Sequence, residues 1–134
     1  MLKRVVLGPA MVILAVMLGA TIASADPIVG EWRSEPDAKG QTGIIEIVPC
    51  GGAFCGTIVR AQDSGGQPVV TRNVGRQIVS DLRPAGDGSY AGRVYVPMMN
   101  ADFPATVLVS GGQMRVEGCN SLGICMKQTL RQLP

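Results

Sequence analysis

From residue 26 onward the chain is interrupted every few residues by Gly, Pro, Asp or Asn, and no stretch keeps the three-to-four-residue apolar spacing of a helix. Between the interruptions lie short runs rich in Val, Ile, Thr and Tyr, a pattern that restricts the fold to an all-β one. Eight strands are predicted, over residues 29–33, 43–48, 56–60, 76–82, 89–96, 105–109, 114–117 and 124–131. Asp87-Gly88 and Ser110-Gly111-Gly112 are hairpin signals, and Gly51-Gly52 is a third. Successive hairpins give an antiparallel meander. With no helix to cover its edges, such a meander is best stabilised by closing into a barrel. Alternation is clearest in 113–118, where Met114 and Val116 oppose Gln113, Arg115 and Glu117. It is softer in 90–96, where Tyr90, Gly92, Val94 and Val96 share one face. Residues 61–75, containing Asp63-Ser64-Gly65-Gly66-Gln67-Pro68, read as a surface loop with one turn of helix near one end of the barrel.

The high overall hydrophobicity, 46%, is inflated by the first 25 residues. Lys3 and Arg4 precede an apolar run, and Ala23-Ser24-Ala25 precedes Asp26-Pro27, the layout of a secretory signal peptide with an A-x-A cleavage site. The run approaches the length of a membrane-spanning helix. The small residues at the cleavage positions, the polar residues after them and the lack of a following Cys to take a lipid all favour removal. The expectation is a signal peptide over 1–25 and a single barrel domain over 26–134, exported to a bacterial periplasm or secreted. Cleavage removes Lys3 and Arg4 from the 12 basic residues and none of the 10 acidic ones, so the mature domain is neutral. A neutral domain has no counterion-release drive toward nucleic acid and no polybasic attraction to lipid. No later stretch is long and apolar enough to span a membrane, and a monomer is expected.

The four Cys, at 50, 55, 119 and 125, all lie after residue 25. An even count in a short exported domain points to two disulfides, and four Cys allow three connectivities. Local pairing, Cys50 with Cys55 and Cys119 with Cys125, is expected because each pair brackets a tight loop. Closing so short a loop contributes about 2 kcal/mol. The spacings depart from zinc knuckles, and an oxidising compartment disfavours thiolate ligands, so no metal is expected.

Further signals are spread along the chain: Gly30-Glu31-Trp32, Ile45-Glu46-Ile47 before Pro49 and the first Cys loop, Tyr95-Val96-Pro97, Val116-Glu117-Gly118 before the second Cys loop, and Gln128-Thr129-Leu130-Arg131. With these the chain resembles the exported bacterial domain-of-unknown-function family 2147 over essentially everything after residue 25. Leu130 stands where that family commonly has an aromatic residue, and Met98-Met99-Asn100 replaces an Asp-Gly pattern. The resemblance implies a small exported β-barrel and brings no activity with it. A looser resemblance is to lipocalin and calycin barrels, in which a G-x-W on the first strand sits beneath an Arg of the last. Trp32 and Arg131 are the matching positions. The resemblance implies a guanidinium lying over the indole, a structural contact worth about 0.5–2 kcal/mol.

Catalytic chemistry finds little support. The chain has no His, so neither a Ser nor a Cys nucleophile has its usual base, and no S-x-x-K motif surrounds Lys39 or Lys127. Glu46, Asp81, Asp102 and Glu117 are the candidates for acid and base work, and nothing in the sequence brings two of them together. No enzyme activity and no cofactor is expected. The segment from Tyr95 to Phe103 is the candidate binding surface, with Met98 and Met99 between the two aromatic residues as a soft apolar mouth. The reading is a non-enzymatic binding module for a small apolar or amphipathic ligand in the cell envelope. The alternative is an envelope protein-interaction or structural module with a filled barrel.

Overall fold

The three Gly-containing hairpins are two-residue turns with a left-handed backbone at both central positions: Gly51 and Gly52 (φ 62° and 82°), Asp87 and Gly88 (54° and 75°), and Gly111 and Gly112 (57° and 74°). Turns of this hand follow the twist of the strands they join. The structure, a computed structural model, describes Gly8 and residues 26–134. The expected signal peptide, Gly8 aside, lies outside the described residues.

Eight strands follow in order: β1 (Gly30–Arg33), β2 (Thr42–Cys50), β3 (Ala53–Gln62), β4 (Gln77–Gly86), β5 (Ser89–Val96), β6 (Ala101–Ser110), β7 (Gln113–Cys119) and β8 (Cys125–Gln132). Each pairs antiparallel with the next, and β8 returns to β1, closing the barrel. The all-β meander and its closure are thus as expected, while several strands run further than the sequence suggested. β6 begins at Ala101 rather than 105 and carries Pro104 within it, and β3 continues through Ala61 and Gln62. The turn of helix expected in 61–75 is not formed. Asp63 Oδ1 instead accepts from the backbone N–H of Gly65 and of Gln67, both at 2.9 Å, and turns the chain there. Among the described residues no helix is long and apolar enough to cross a membrane.

The strand order gives the barrel two unlike ends. The three tight hairpins and the segment 26–29 fall at one end; the connections 34–41, 63–76, 97–100 and 120–124 fall at the other. The first end is closed. Ile28 is fully buried beneath the barrel, its carbonyl accepts from Trp32 Nε1 at 2.9 Å, and Asp26 Oδ1 accepts from Ile28 N and from the Tyr90 hydroxyl. Around Ile28 and Trp32 the interior is filled by Ile45, Ile47, Val79, Leu82, Tyr90, Val107, Met114 and Leu130. Phe54 meets Tyr90 edge to face at 5.9 Å.

Trp32 and Arg131 do not form the expected contact. Leu130 faces the interior and is 3% exposed, so strand alternation turns Arg131 outward, opposite Arg33 of β1. Trp32, at 0% exposure, is capped by Ile28 instead. The cation lying over an aromatic ring is Arg76, 4.9 Å from the ring centre of Tyr95.

Burial pushes the Tyr90 hydroxyl up to about 12, and its hydrogen bond to Asp26 adds to that rise. A folded value above the unfolded one, near 10, favours the fold fully below pH 10 and progressively less as pH climbs toward 12. We expect stability to fall in that window by about 1.4 kcal/mol per pH unit from this group. Urea midpoints at pH 8, 10 and 11.5, compared with those of Tyr90→Phe, check it. Parallel pH profiles for the two proteins would show that Tyr90 does not carry this dependence.

Candidate functional site

The open end collects the apolar surface. Nine large hydrophobic side chains are exposed among the described residues, and seven of them, Val70, Val74, Met98, Met99, Leu122, Ile124 and Met126, sit there. They come from three connections and, for Met126, the start of strand β8. The turn 97–100 is held by Asn100, left-handed at φ 47°, whose Oδ1 accepts from the Tyr95 hydroxyl at 2.6 Å. The β7–β8 loop is fixed by the Cys119–Cys125 bond and by Asn120 Oδ1, which accepts from Leu122 N and Ile124 N, each at 3.0 Å. Cys50 and Cys55 are bonded to each other at the opposite, closed end.

The four residues expected to form an apolar mouth are only partly brought together. Met99 and Phe103 share a dimple with Gly118, Asn120, Ile124 and Met126, about 20 Å3 in volume, room for one water molecule. Tyr95 points outward, because on β5 it alternates with the inward Val94 and Val96. Its hydroxyl accepts from Arg76 Nη1 at 2.8 Å. Met98 stands clear of the barrel at 86% exposure. A larger open groove of about 240 Å3 lies alongside, lined mainly by Val59, Ala61, Pro68, Val69, Val70 and Val74. Sequence reasoning missed this wall. The apolar pair Val69-Val70 inside an otherwise polar loop was the available signal. Arg76 had none, since its contact with Tyr95 depends on how β4 and β5 pair.

The four candidate carboxylates, Glu46, Asp81, Asp102 and Glu117, are spread over β2, β4, β6 and β7. Glu46 lies directly opposite Glu31 in the β1–β2 register, a juxtaposition the sequence did not reveal. Arg60 grips Glu31 with two hydrogen bonds of 2.8 Å, and that grip holds the Glu31 carboxyl below its ordinary range. A general acid needs the opposite shift. Asp81 pairs with Arg83 at 2.9 Å, and Glu117 with Lys127 at 3.7 Å. Asp102 sits opposite Tyr95 on the outer face. Glu117, Cys119 and Cys125 offer ligand atoms within 4.8 Å of one another, but the two sulfurs are bonded to each other and present no thiolate to a metal.

Comparison with known proteins agrees with this architecture. A protein of the human pathogen Helicobacter pylori, described as belonging to the lipocalin family, superposes with a TM-score of 0.61 at 16% identity, covering 79% of this chain and 82% of that one. That likeness establishes the barrel fold. No curated protein matches the sequence. The model of a family described as an uncharacterized protein conserved in bacteria, DUF2147, matches residues 30–132. The match spans all eight strands, and the chain belongs to that family.

Proposed function

We propose that the protein is a non-enzymatic binding module of the bacterial cell envelope that takes an apolar or amphipathic molecule at the open rim of a filled barrel. The observation that carries this reading is the concentration of exposed apolar side chains at one end, while the opposite end is sealed by Ile28 and Trp32. Apolar surface gathered in one place on a neutral domain marks an interaction site. The interior is filled, so a ligand binds at the mouth rather than deep inside. Export fits the two bonded Cys pairs and the predicted signal peptide.

The test is a titration of the isotopically labelled protein with dodecanoate below its micellar concentration, followed by amide chemical shifts. Shifts are expected at Met99, Leu122, Ile124 and Met126, with Val107 and Leu130 unmoved. Ile124→Ser should weaken binding by about tenfold, the loss of roughly 1.4 kcal/mol of apolar contact. Shifts centred on the interior residues would mean that the barrel opens to admit ligand, and no shift at millimolar dodecanoate would remove the small-ligand reading. The second reading, an envelope protein-interaction module, is favoured by the same filled interior. It predicts that the rim is covered by a protein instead.

A further inference from the structure

Barrel closure is incomplete along one seam. β7 pairs with β8 from Cys119 opposite Cys125 to Gln113 opposite Arg131, whereas β1 meets β8 only at Arg131 and Gln132. Beyond Arg33 the chain leaves β8. Ser34 N donates to Gly43 O on β2, and an added Cβ at Gly40 would come within 3.4 Å of Ser64, on the far side. β8 therefore presents a free edge over Met126–Leu130, about 17 Å long. The effect on burial is plain. Met126 and Gln128 lie on the same strand face as the buried Leu130, yet both are exposed. An unpaired edge of this kind is a ready template for another strand.

The outer face of the same seam is cationic. Arg33 and Arg131 stand directly opposite each other, and Arg115 lies on β7 opposite Thr129, the outward residue preceding Arg131 on the β8 face. Like charges directly across two strands are destabilising, so the fold gains nothing from this pairing. Of the acids on and next to the neighbouring strands, Glu31 is held by Arg60 and Glu117 by Lys127, while Glu35 and Glu46 make no ion pair with these arginines. Arg33, Arg115 and Arg131 have no ion-pair partner among the described residues.

We propose that the seam is a docking site for an extended segment of a partner protein, added as a strand to the β8 edge, with acidic residues at the positions facing outward and apolar residues between them. The free edge supplies main-chain hydrogen bonds, the three arginines select carboxylates, and the apolar side chains pack over Met126. This site shares Met126 with the rim and runs from there down β8 toward Leu130, and it does not rest on the reading proposed above.

The probe is a capped peptide, Glu-Val-Glu-Val-Glu-Val-Glu, titrated into the labelled full chain and followed by amide shifts and hydrogen exchange. We expect amides within Met126–Leu130 to exchange at least about tenfold more slowly when peptide is bound, with those of β3 unchanged. Arg131→Glu replaces a like-charge pair by an opposite-charge one and so keeps the fold. It should weaken peptide binding by at least about tenfold, as should Lys in place of every Glu in the peptide. A peptide N-methylated at alternate residues loses its edge donors while keeping its charge, and it should fail to bind. Equal binding of the N-methylated peptide would reduce the contact to charge attraction and overturn strand addition, as would unchanged exchange in β8. A peptide-free protein that sediments as a dimer with β8 amides protected would also overturn the proposal, giving the edge to a second copy. Dodecanoate shifts at Leu122 and Ile124 are read separately, so failure of the rim reading leaves these outcomes intact.

Discussion

Trp32→Ala is expected to remove about 3–5 kcal/mol of folding stability, the usual range for truncating a buried aromatic. Domains of this size rest on roughly 5–15 kcal/mol in total, so the variant should be close to unfolding at 37 °C. Three features of the site place the loss toward the upper end. The indole is fully buried, it sits on a strand of only four residues, and its Nε1 holds the carbonyl of Ile28 at 2.9 Å. Truncation therefore opens a cavity and frees the segment that seals the closed end. Trp32→Phe separates the two contributions by keeping much of the ring while leaving the Ile28 carbonyl without its donor, a cost of about 1–3 kcal/mol. Thermal unfolding should register the Ala variant as a drop of roughly 15 °C or more. A shift of only a few degrees would mean that the closed end is held by something other than this contact.

Gly92→Ala should be nearly as damaging, about 3 kcal/mol, for the opposite reason of overpacking. The β4–β5 register passes from Ser80 opposite Arg93 to Arg83 opposite Ala91, so Asp81 and Leu82 together face Gly92. This is a β-bulge, with Asp81 left-handed at φ 50° and Leu82 turned inward to complete burial. A Cβ on Gly92 would stand 2.8 Å from Leu82 Cα, 2.8 Å from Ser80 O and 2.9 Å from Asp81 O. All three are backbone atoms, and none can yield without moving the bulge. Gly43→Ala is the matched control, since its added methyl meets nothing closer than 3.7 Å. It should change stability by no more than about 0.5 kcal/mol. Urea unfolding of the two variants decides the matter: equal costs would show that the bulge does not constrain Gly92.

Features fixed by neighbouring residues were legible. The hairpin at Asp87-Gly88 could be read directly because a two-residue turn of that hand needs positive φ at both positions, which Asp and Gly tolerate. Local pairing of Cys119 with Cys125 followed from the short loop between them, and the outward Arg115 followed from alternation with Met114 and Val116. The candidate site was half legible. Met99 and Phe103 do meet at the rim, but Tyr95 lies on the other face of its strand, and Val70 and Val74 arrive from a loop that carries no periodic signal.

By itself, then, the sequence determined an all-β meander of eight strands, the positions of its tight turns and the pairing of its cysteines. Each of these is an interaction between residues close in the chain, where turn geometry and the two-residue period act directly. Tertiary structure alone decided the parity of β8 against β1, which turned Arg131 away from Trp32 toward Arg33. It also decided the bulge that lets Leu82 face inward three residues after Val79, and the short reach of β1 that leaves the β8 edge open. Those depend on how chain segments up to about a hundred residues apart come into register. A one-residue slip in register exchanges the two faces of a strand, and only closure of the whole barrel selects between them.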